Sequence, residues 1–228
     1  LPVHVFGMPG DIEGILKLSK QFNLKLLEDA TEALGSKFKN KQMGTFGDIG
    51  VLSFNANKII TTGAGGCLLT NNKKYAKLAL HISTTSKVLH PWLLKHDSLG
   101  WNIRMPSLNA ALGYDKIKEF NKIIIKKQKI AQTYFSLFKK TEVNLLKEGK
   151  DCKSNFWLNT VLLSDKQIKY RNKIIDYCNK KGIGCRPAWN LISEIKIYKK
   201  CPKTNLSNAI KIQKKIINLP SGLNILSK

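Results

Sequence analysis

Apolar positions in the first third of the chain fall into short blocks separated by polar turns, and the blocks alternate in kind. Leu1–Phe6 reads as a short strand and Gly7-Met8-Pro9-Gly10 as a turn. Asp11 is placed to cap a helix running through about Phe22. Leu24–Glu28 is a compact apolar run, a strand that ends at Asp29. Strand, helix and strand in that order argue for a mostly parallel α/β sheet. Ile49–Phe54 and Gly66–Thr70 are two further buried strands, and Asn72–Ile82 a helix. The stretch to Gly100, with His90-Pro91-Trp92, is expected to be an ordered loop.

Ser107 is expected to cap a long helix reaching about Lys140, with Ile and Lys at helical spacing. The pattern then changes. Asn155–Leu163 reads as a strand, Gln167–Lys181 as a helix, Gly182–Arg186 as a strand, and Ser207–Ile217 as a last helix before Asn218-Leu219-Pro220. The fold class is therefore α/β. Residues 1–140 form the sheet-bearing part with its connecting helices, and residues 141–228 a small C-terminal α+β domain. The chain opens Leu1-Pro2-Val3-His4, as if already inside a strand, and is expected to be a fragment.

Composition narrows the function. With 43% hydrophobic residues in 228, a disordered or fibrous chain is excluded. The formal charge of +24 is uneven, with a net +6 over residues 1–110 and a net +18 over residues 111–228. It comes from 36 lysines and only three arginines, Arg104, Arg171 and Arg186. A reader of nucleic acid would draw more on arginine, whose planar fork grips phosphates and base edges. Solvated lysine faces account for the charge better, and no nucleic-acid partner is expected. No apolar run approaches the roughly 20 residues of a membrane span, so no membrane partner is expected either. Five cysteines without a C-x-x-C pair, and four histidines without H-E-x-x-H spacing, indicate neither a disulfide framework nor a metal site. A reducing cytoplasm fits that usage.

Three patches carry candidate chemistry. Glu28-Asp29-Ala30-Thr31-Glu32-Ala33 follows a buried strand, where open α/β sheets place their ligands. The same acids would also suit the first turn of a helix. Ser53-Phe54-Asn55-Ala56-Asn57-Lys58 leaves a second strand and precedes Thr61-Thr62-Gly63-Ala64-Gly65-Gly66, whose glycines let backbone pass close to a bound group. A lysine in a desolvated cleft loses its proton more readily and becomes a nucleophile towards carbonyls. The glycine run precedes a strand, so it lacks the strand–loop–helix order of a dinucleotide fingerprint. Gly100-Trp101-Asn102-Ile103-Arg104-Met105-Pro106 leads into Ser107-Leu108-Asn109-Ala110-Ala111-Leu112-Gly113, a loop and helix start whose spacing alone predicts no chemistry.

In their shared order these patches, with Gly44-Thr45-Phe46-Gly47-Asp48-Ile49-Gly50, resemble the DegT/DnrJ/EryC1/StrS sugar aminotransferases. His90-Pro91-Trp92, Asn155-Phe156-Trp157-Leu158-Asn159, Arg186-Pro187-Ala188-Trp189 and Asn218-Leu219-Pro220-Ser221 resemble the branch associated with legionaminic acid and bacillosamine synthesis. The resemblance runs from about Leu1 to Ser221. It implies the fold of type I pyridoxal 5'-phosphate (PLP) transferases, with an incomplete large domain and a small C-terminal one. It further implies that Lys58 matches the lysine carrying PLP covalently, and Asp29 the acid facing the pyridine nitrogen. A carboxylate there favours the protonated nitrogen, which makes the ring an electron sink. Glu32 matches the position near the ring hydroxyl, often Gln or His. Ser53 matches a phosphate-binding hydroxyl. Asn102 matches an asparagine reaching the PLP phosphate of a neighbouring subunit, which implies a homodimer with shared active sites.

The implied reaction is transfer of an amino group, with glutamate as donor, to a UDP-linked 4-keto-6-deoxy amino sugar, giving the 4-amino sugar. His90 and Arg186, with Lys87, are candidate partners for the nucleotide end. The sequence also departs from the family pattern. The N-terminal turn and helix that grip the phosphate, and the aromatic residue that stacks on the ring, have no counterpart. Ala64 replaces a frequent Gly and Trp101 a frequent Tyr or Phe. The rival readings are a catalytically incomplete or non-catalytic sugar-binding relative, and a basic nucleic-acid binder. Sugar dehydratases of this fold carry His in place of the lysine, and Lys58 argues against that route.

Overall fold

The computed structural model describes residues 1–227. They form two compact units: Leu1–Ile124 with Gly149–Asn155, and Ile125–Glu148 with the chain from Phe156 onwards. The second unit thus begins inside a helix, whereas the pattern divides the chain between residues 140 and 141.

The first unit is built on helix α1 (Ile12–Gln21) and strand β1 (Leu27–Asp29). Asp11 caps α1, its carboxylate accepting the Gly14 N–H at 2.9 Å. Ile12, Leu26, Ala30, Ala33, Met43 and Leu52 form the core, with Ile15 and Leu16 of α1 packed against it. Short strands β2 (Lys37–Phe38) and β3 (Lys41–Gln42) make a hairpin. Strand β4 (Ile49–Ser53) pairs with β1 in parallel, and β5 (Gly66–Leu69) adds to β4 antiparallel. The sheet is therefore mixed. Gly50 is required within β4, because a Cβ there would collide with the Gly44 carbonyl.

The strand expected over Leu1–Phe6 shrinks to one parallel bridge, Val3 to Asp29. Phe6 takes a left-handed φ of 60° and turns the chain into a short 3-10 segment, Val5–Gly7. Helix α2 (Lys73–Ser83) is capped by Asn72, and a small hairpin, β6 (Lys87–Val88) with β7 (Lys95–His96), stands within the expected loop. The long helix predicted from Ser107 is two helices, α3 (Ser107–Lys118) and α4 (Phe120–Phe138), separated at Glu119. Pro106, extended at φ −62° and ψ 149°, holds the cap position, and Ser107 is already helical.

The second unit carries strand β8 (Asn144–Leu145). Strand β9 (Cys152–Lys153) belongs to the first unit and pairs with β2. Strand β10 (Asn159–Leu162), helix α5 (Arg171–Lys180), strand β11 (Arg186–Pro187), helix α6 (Ser207–Lys215) and strand β12 (Ile216–Leu219) complete the second unit. Its antiparallel sheet runs β11-β12-β10-β8 over a core of Val161, Leu163, Cys185 and Ile217. The last helix stops at Lys215 rather than Ile217. Ile216 and Ile217 are buried, and β12 is bonded on both sides, so pairing and burial override helical continuation.

Candidate active site

Successive side chains of a strand point to opposite faces. At the end of β1 this separates two adjacent acids. Glu28 is fully buried, whereas Asp29 is half-buried and its carboxylate accepts the Thr31 N–H at 3.1 Å. The turn after β1 brings Glu32 back beside the strand end. Its Oε2 accepts the Phe6 N–H at 2.7 Å, and its Oε1 faces Lys58 Nζ at 3.7 Å. Both side chains of that pair are 13% exposed.

The Glu32 carboxyl is pushed up from its ordinary range by burial, aided by the Asp29 charge. The Phe6 N–H and the Lys58 ammonium oppose that rise. Asp29 and Lys58 thus act on one carboxylate with opposite signs. From behind, Asn155 Nδ2 donates to the carbonyls of Glu32 at 2.8 Å and Leu34 at 2.9 Å, and its own N–H donates to Ser36 Oγ. Gly7, at φ +85°, lies against Asn155, and a Cβ there would collide with the amide oxygen. Ser36 and Ser154 hydroxyls both donate to the Gly7 carbonyl.

Lys58 leaves β4 in a loop closed on itself. The Phe54 N–H donates to Gly65 O and the Thr62 N–H to Phe54 O, both at 2.9 Å. Ile59 and Ile60 are buried directly after the lysine. Ser53 ends β4, and its Oγ accepts the Asn55 N–H at 3.3 Å. Helix α3 seats on the same loop, where Asn109 Nδ2 donates to the Thr62 carbonyl at 2.5 Å. The run after Ser107 therefore braces the lysine loop, a role its spacing did not signal.

Asp29, Glu32 and Lys58 are assembled at the carboxyl ends of a parallel strand pair. The other candidates make bonds of their own. Asn102 is exposed and bridges Thr84 through backbone, on a segment sewn to the end of α2. His90 is exposed, with Nδ1 accepting the Leu93 N–H at 2.9 Å and its ring edge-on to Trp92. Lys87 begins the β6–β7 hairpin. Arg186 belongs to the second unit, where its guanidinium donates to Asn179 Oδ1 and the Cys185 carbonyl, both at 2.9 Å. Among the described residues no group of three or more His, Cys, Asp or Glu could hold a metal, and no helix is long and apolar enough to cross a membrane.

A nearly buried amine faces a carboxylate at a strand exit, and comparison with known proteins decides its lineage. Residues 1–227 match the model of the DegT/DnrJ/EryC1/StrS aminotransferase family. The chain belongs to that family. GDP-perosamine synthase of Escherichia coli O157:H7 is 36% identical over 204 residues, covering 86% of this chain and 53% of the relative. The UDP-4-amino-4,6-dideoxy-N-acetyl-beta-L-altrosamine transaminase of Helicobacter pylori is 30% identical over 237 residues, 98% of this chain and 60% of the relative. Among solved structures, the Helicobacter pylori aminotransferase PseC superposes with a TM-score of 0.91 at 27% identity over 97% of this chain and 61% of its own. A GDP-4-keto-6-deoxy-D-mannose-3-dehydratase of E. coli, at 23% identity, shares the fold with a TM-score of 0.87. The architecture is thus that of PLP-dependent sugar aminotransferases. This family member spans little more than half the length of these relatives.

The residues fit that cofactor. A primary amine at 13% exposure is reachable by an aldehyde, and Asp29 offers a half-buried acid for a pyridine nitrogen. Glu32 offers an acceptor beside the amine, and Ser53 and the loop to Gly65 offer a hydroxyl and backbone for a phosphate.

Proposed function

We propose that this chain serves a PLP-dependent aminotransferase that converts a nucleotide-linked 4-keto-6-deoxy sugar to its 4-amino sugar, with glutamate as amino donor. The observation that carries this reading is the Lys58–Glu32 pair at 3.7 Å, set beside Asp29 in a nearly buried cluster. When bound, PLP supplies a carbon that accepts the amino group and a ring that takes up electrons. Lys58 Nζ holds the cofactor and, once neutral, moves the proton off and onto the reacting substrate carbon. Glu32 holds that amine in place and balances its charge. Asp29 keeps a proton on the pyridine nitrogen, because an opposite charge nearby favours the charged form.

A UDP-linked amino sugar is the substrate favoured by the Helicobacter pylori relative, which matches nearly the whole chain. The 36% identity to a GDP-perosamine synthase supports a second reading, a GDP-linked sugar. The site is completed by a second copy of the chain. The segment bearing Asn102 exposes Leu89, Trp92, Leu99, Ile103 and Leu108, apolar surface suited to cover in a homodimer.

Borohydride reduction of the PLP-treated chain tests the reading. The label is expected on one peptide, the one spanning Ser53 to Thr62, with 35 other lysines as the internal control. Lys58→Arg should abolish it, since a guanidinium is no nucleophile near neutral pH. Label spread over surface lysines would end the reading in favour of a non-catalytic relative. Assay with UDP- and GDP-linked 4-keto-6-deoxy sugars then separates the two substrates.

A further inference from the structure

Glu28 gathers four donors around one buried carboxylate. Its Oε1 accepts the N–H groups of Phe46 and Gly47, both at 2.6 Å, and its Oε2 accepts the Gly44 N–H at 2.9 Å. The fourth donor is His4, also fully buried, with Nε2 at 3.3 Å from Oε2. The tautomer follows from the other ring nitrogen. The Gly10 N–H points at His4 Nδ1 at 3.1 Å, so Nδ1 accepts and the proton sits on Nε2.

His4 also grips the next residue through its backbone. Its N–H donates to the Asp29 carbonyl at 3.0 Å, and the Asp29 N–H donates to Pro2 O at 2.9 Å. One residue thereby fixes Glu28 by its ring and Asp29 by its main chain. Apart from this edge and the ladder to β4, the Asp29 carboxylate is set by the Thr31 N–H.

We infer that Glu28 and His4 are positioning residues for Asp29, their buried contact locking the strand edge that aims the Asp29 carboxylate. The cofactor part of this inference rests on the function proposed above; the mechanical part does not. A carboxylate is needed at residue 28. An amide, whichever way it turned, would present its NH2 to two donors at once, because each oxygen receives two.

The test is residue-resolved amide hydrogen exchange in the whole chain without cofactor. His4→Asn retains an oxygen where Nδ1 lies but has no atom to reach Glu28. His4→Gln places an amide nitrogen where Nε2 lies and loses only the Gly10 acceptor. His4→Asn should speed exchange at Asp29 and Thr31 about tenfold or more, whereas His4→Gln should stay within about twofold of the parent. Glu28→Gln should resemble His4→Asn; if that variant does not fold, the His4 pair decides alone. Faster exchange confined to Gly44, Phe46 and Gly47 would make Glu28 a brace for that turn only and overturn the inference. Equal losses in the two His4 variants would overturn it as well.

A PLP titration adds the functional readout. His4→Asn should weaken PLP binding about tenfold, but by less than about twofold in the Asp29→Asn background, since both changes act through one carboxylate. A full further loss in that background would refute the coupling. If Asp29→Asn alone leaves PLP affinity unchanged, the cofactor role of Asp29 fails, and the exchange result stands apart from it.

Discussion

Asn155 holds Glu32 from behind, its amide nitrogen 2.8 Å from the Glu32 carbonyl, although 123 residues separate them in sequence. The carboxylate opposite Lys58 is thus anchored at its main chain by β9's exit and at its side chain by the Phe6 N–H. A fully buried amide with two carbonyl acceptors has a defined chemistry, and its replacement has a defined sign.

Asn155→Ala leaves the carbonyls of Glu32 and Leu34 without their donor and should cost about 2–4 kcal/mol. Asn155→Asp should cost more at neutral pH, because a carboxylate would face two carbonyls in a buried position. The gap between the variants should narrow as pH falls and the new acid regains one O–H donor. Urea denaturation of both variants between pH 7 and pH 5 checks this. A gap independent of pH would remove Asn155 from the donor role.

Glu32 carries a cost at neutral pH. Its folded pKa lies above the ordinary carboxyl value, so folding favours the protonated form, and its contribution to stability is lost as pH rises through the folded value. Glu32→Gln keeps an acceptor for the Phe6 N–H and removes the buried charge. The variant should be no less stable than the parent at pH 7, with a flatter stability profile from about pH 4.5 upward. Its borohydride labelling at Lys58 should fall severalfold, because the amine loses the carboxylate that holds it in position. Lower stability with unchanged labelling would show that Glu32 serves the fold and not the amine.

Much of the first unit was legible because local signals agree. Asp11 before an amphipathic run gives α1, and a polar turn after each apolar block gives β1, β4 and β5. What was hidden depends on distant partners. Adjacent acids at 28 and 29 look alike in sequence, yet strand alternation buries one among four donors and leaves the other half-exposed. Ile216 and Ile217 read as helix until β10 and β11 are present to pair with them. Lys58 is one of 36 lysines, set apart by its place at a strand exit before a glycine run and by the family pattern. Lys127 carried no signal at all.

Asn102 gives the test of the shared site. If it serves a partner's cofactor, Lys58→Ala and Asn102→Ala chains should each lack turnover, while mixed chains regain part of it. In a mixed pair one site would hold both residues and the other neither. Activity should approach about a quarter of the parent for random exchange of two equally present chains. No recovery after demonstrated subunit exchange would place the Asn102 effect within its own chain.

Lys127, on α4 in the second unit, is 6% exposed, and Nζ donates to the carbonyls of Trp157 and Ser221, both at 2.7 Å. Burial pushes its pKa down from 10.5 to about 8. Below about pH 8 the ammonium is charged in both folded and unfolded chains, and its burial cost is constant. Between about 8 and 10.5 the unfolded chain still binds the proton and the folded chain has released it, so stability rises with pH across that window. The full rise corresponds to about 3 kcal/mol. Lys127→Met removes the titration and leaves two carbonyls without a donor, so it should lack the rise at any baseline stability. Because the exposed lysines titrate alike in parent and variant, the difference between their urea midpoints isolates Lys127. That difference should grow in the parent's favour from pH 8 to pH 10. Parallel profiles would mean that the buried ammonium keeps an ordinary pKa and that water reaches it in the folded chain.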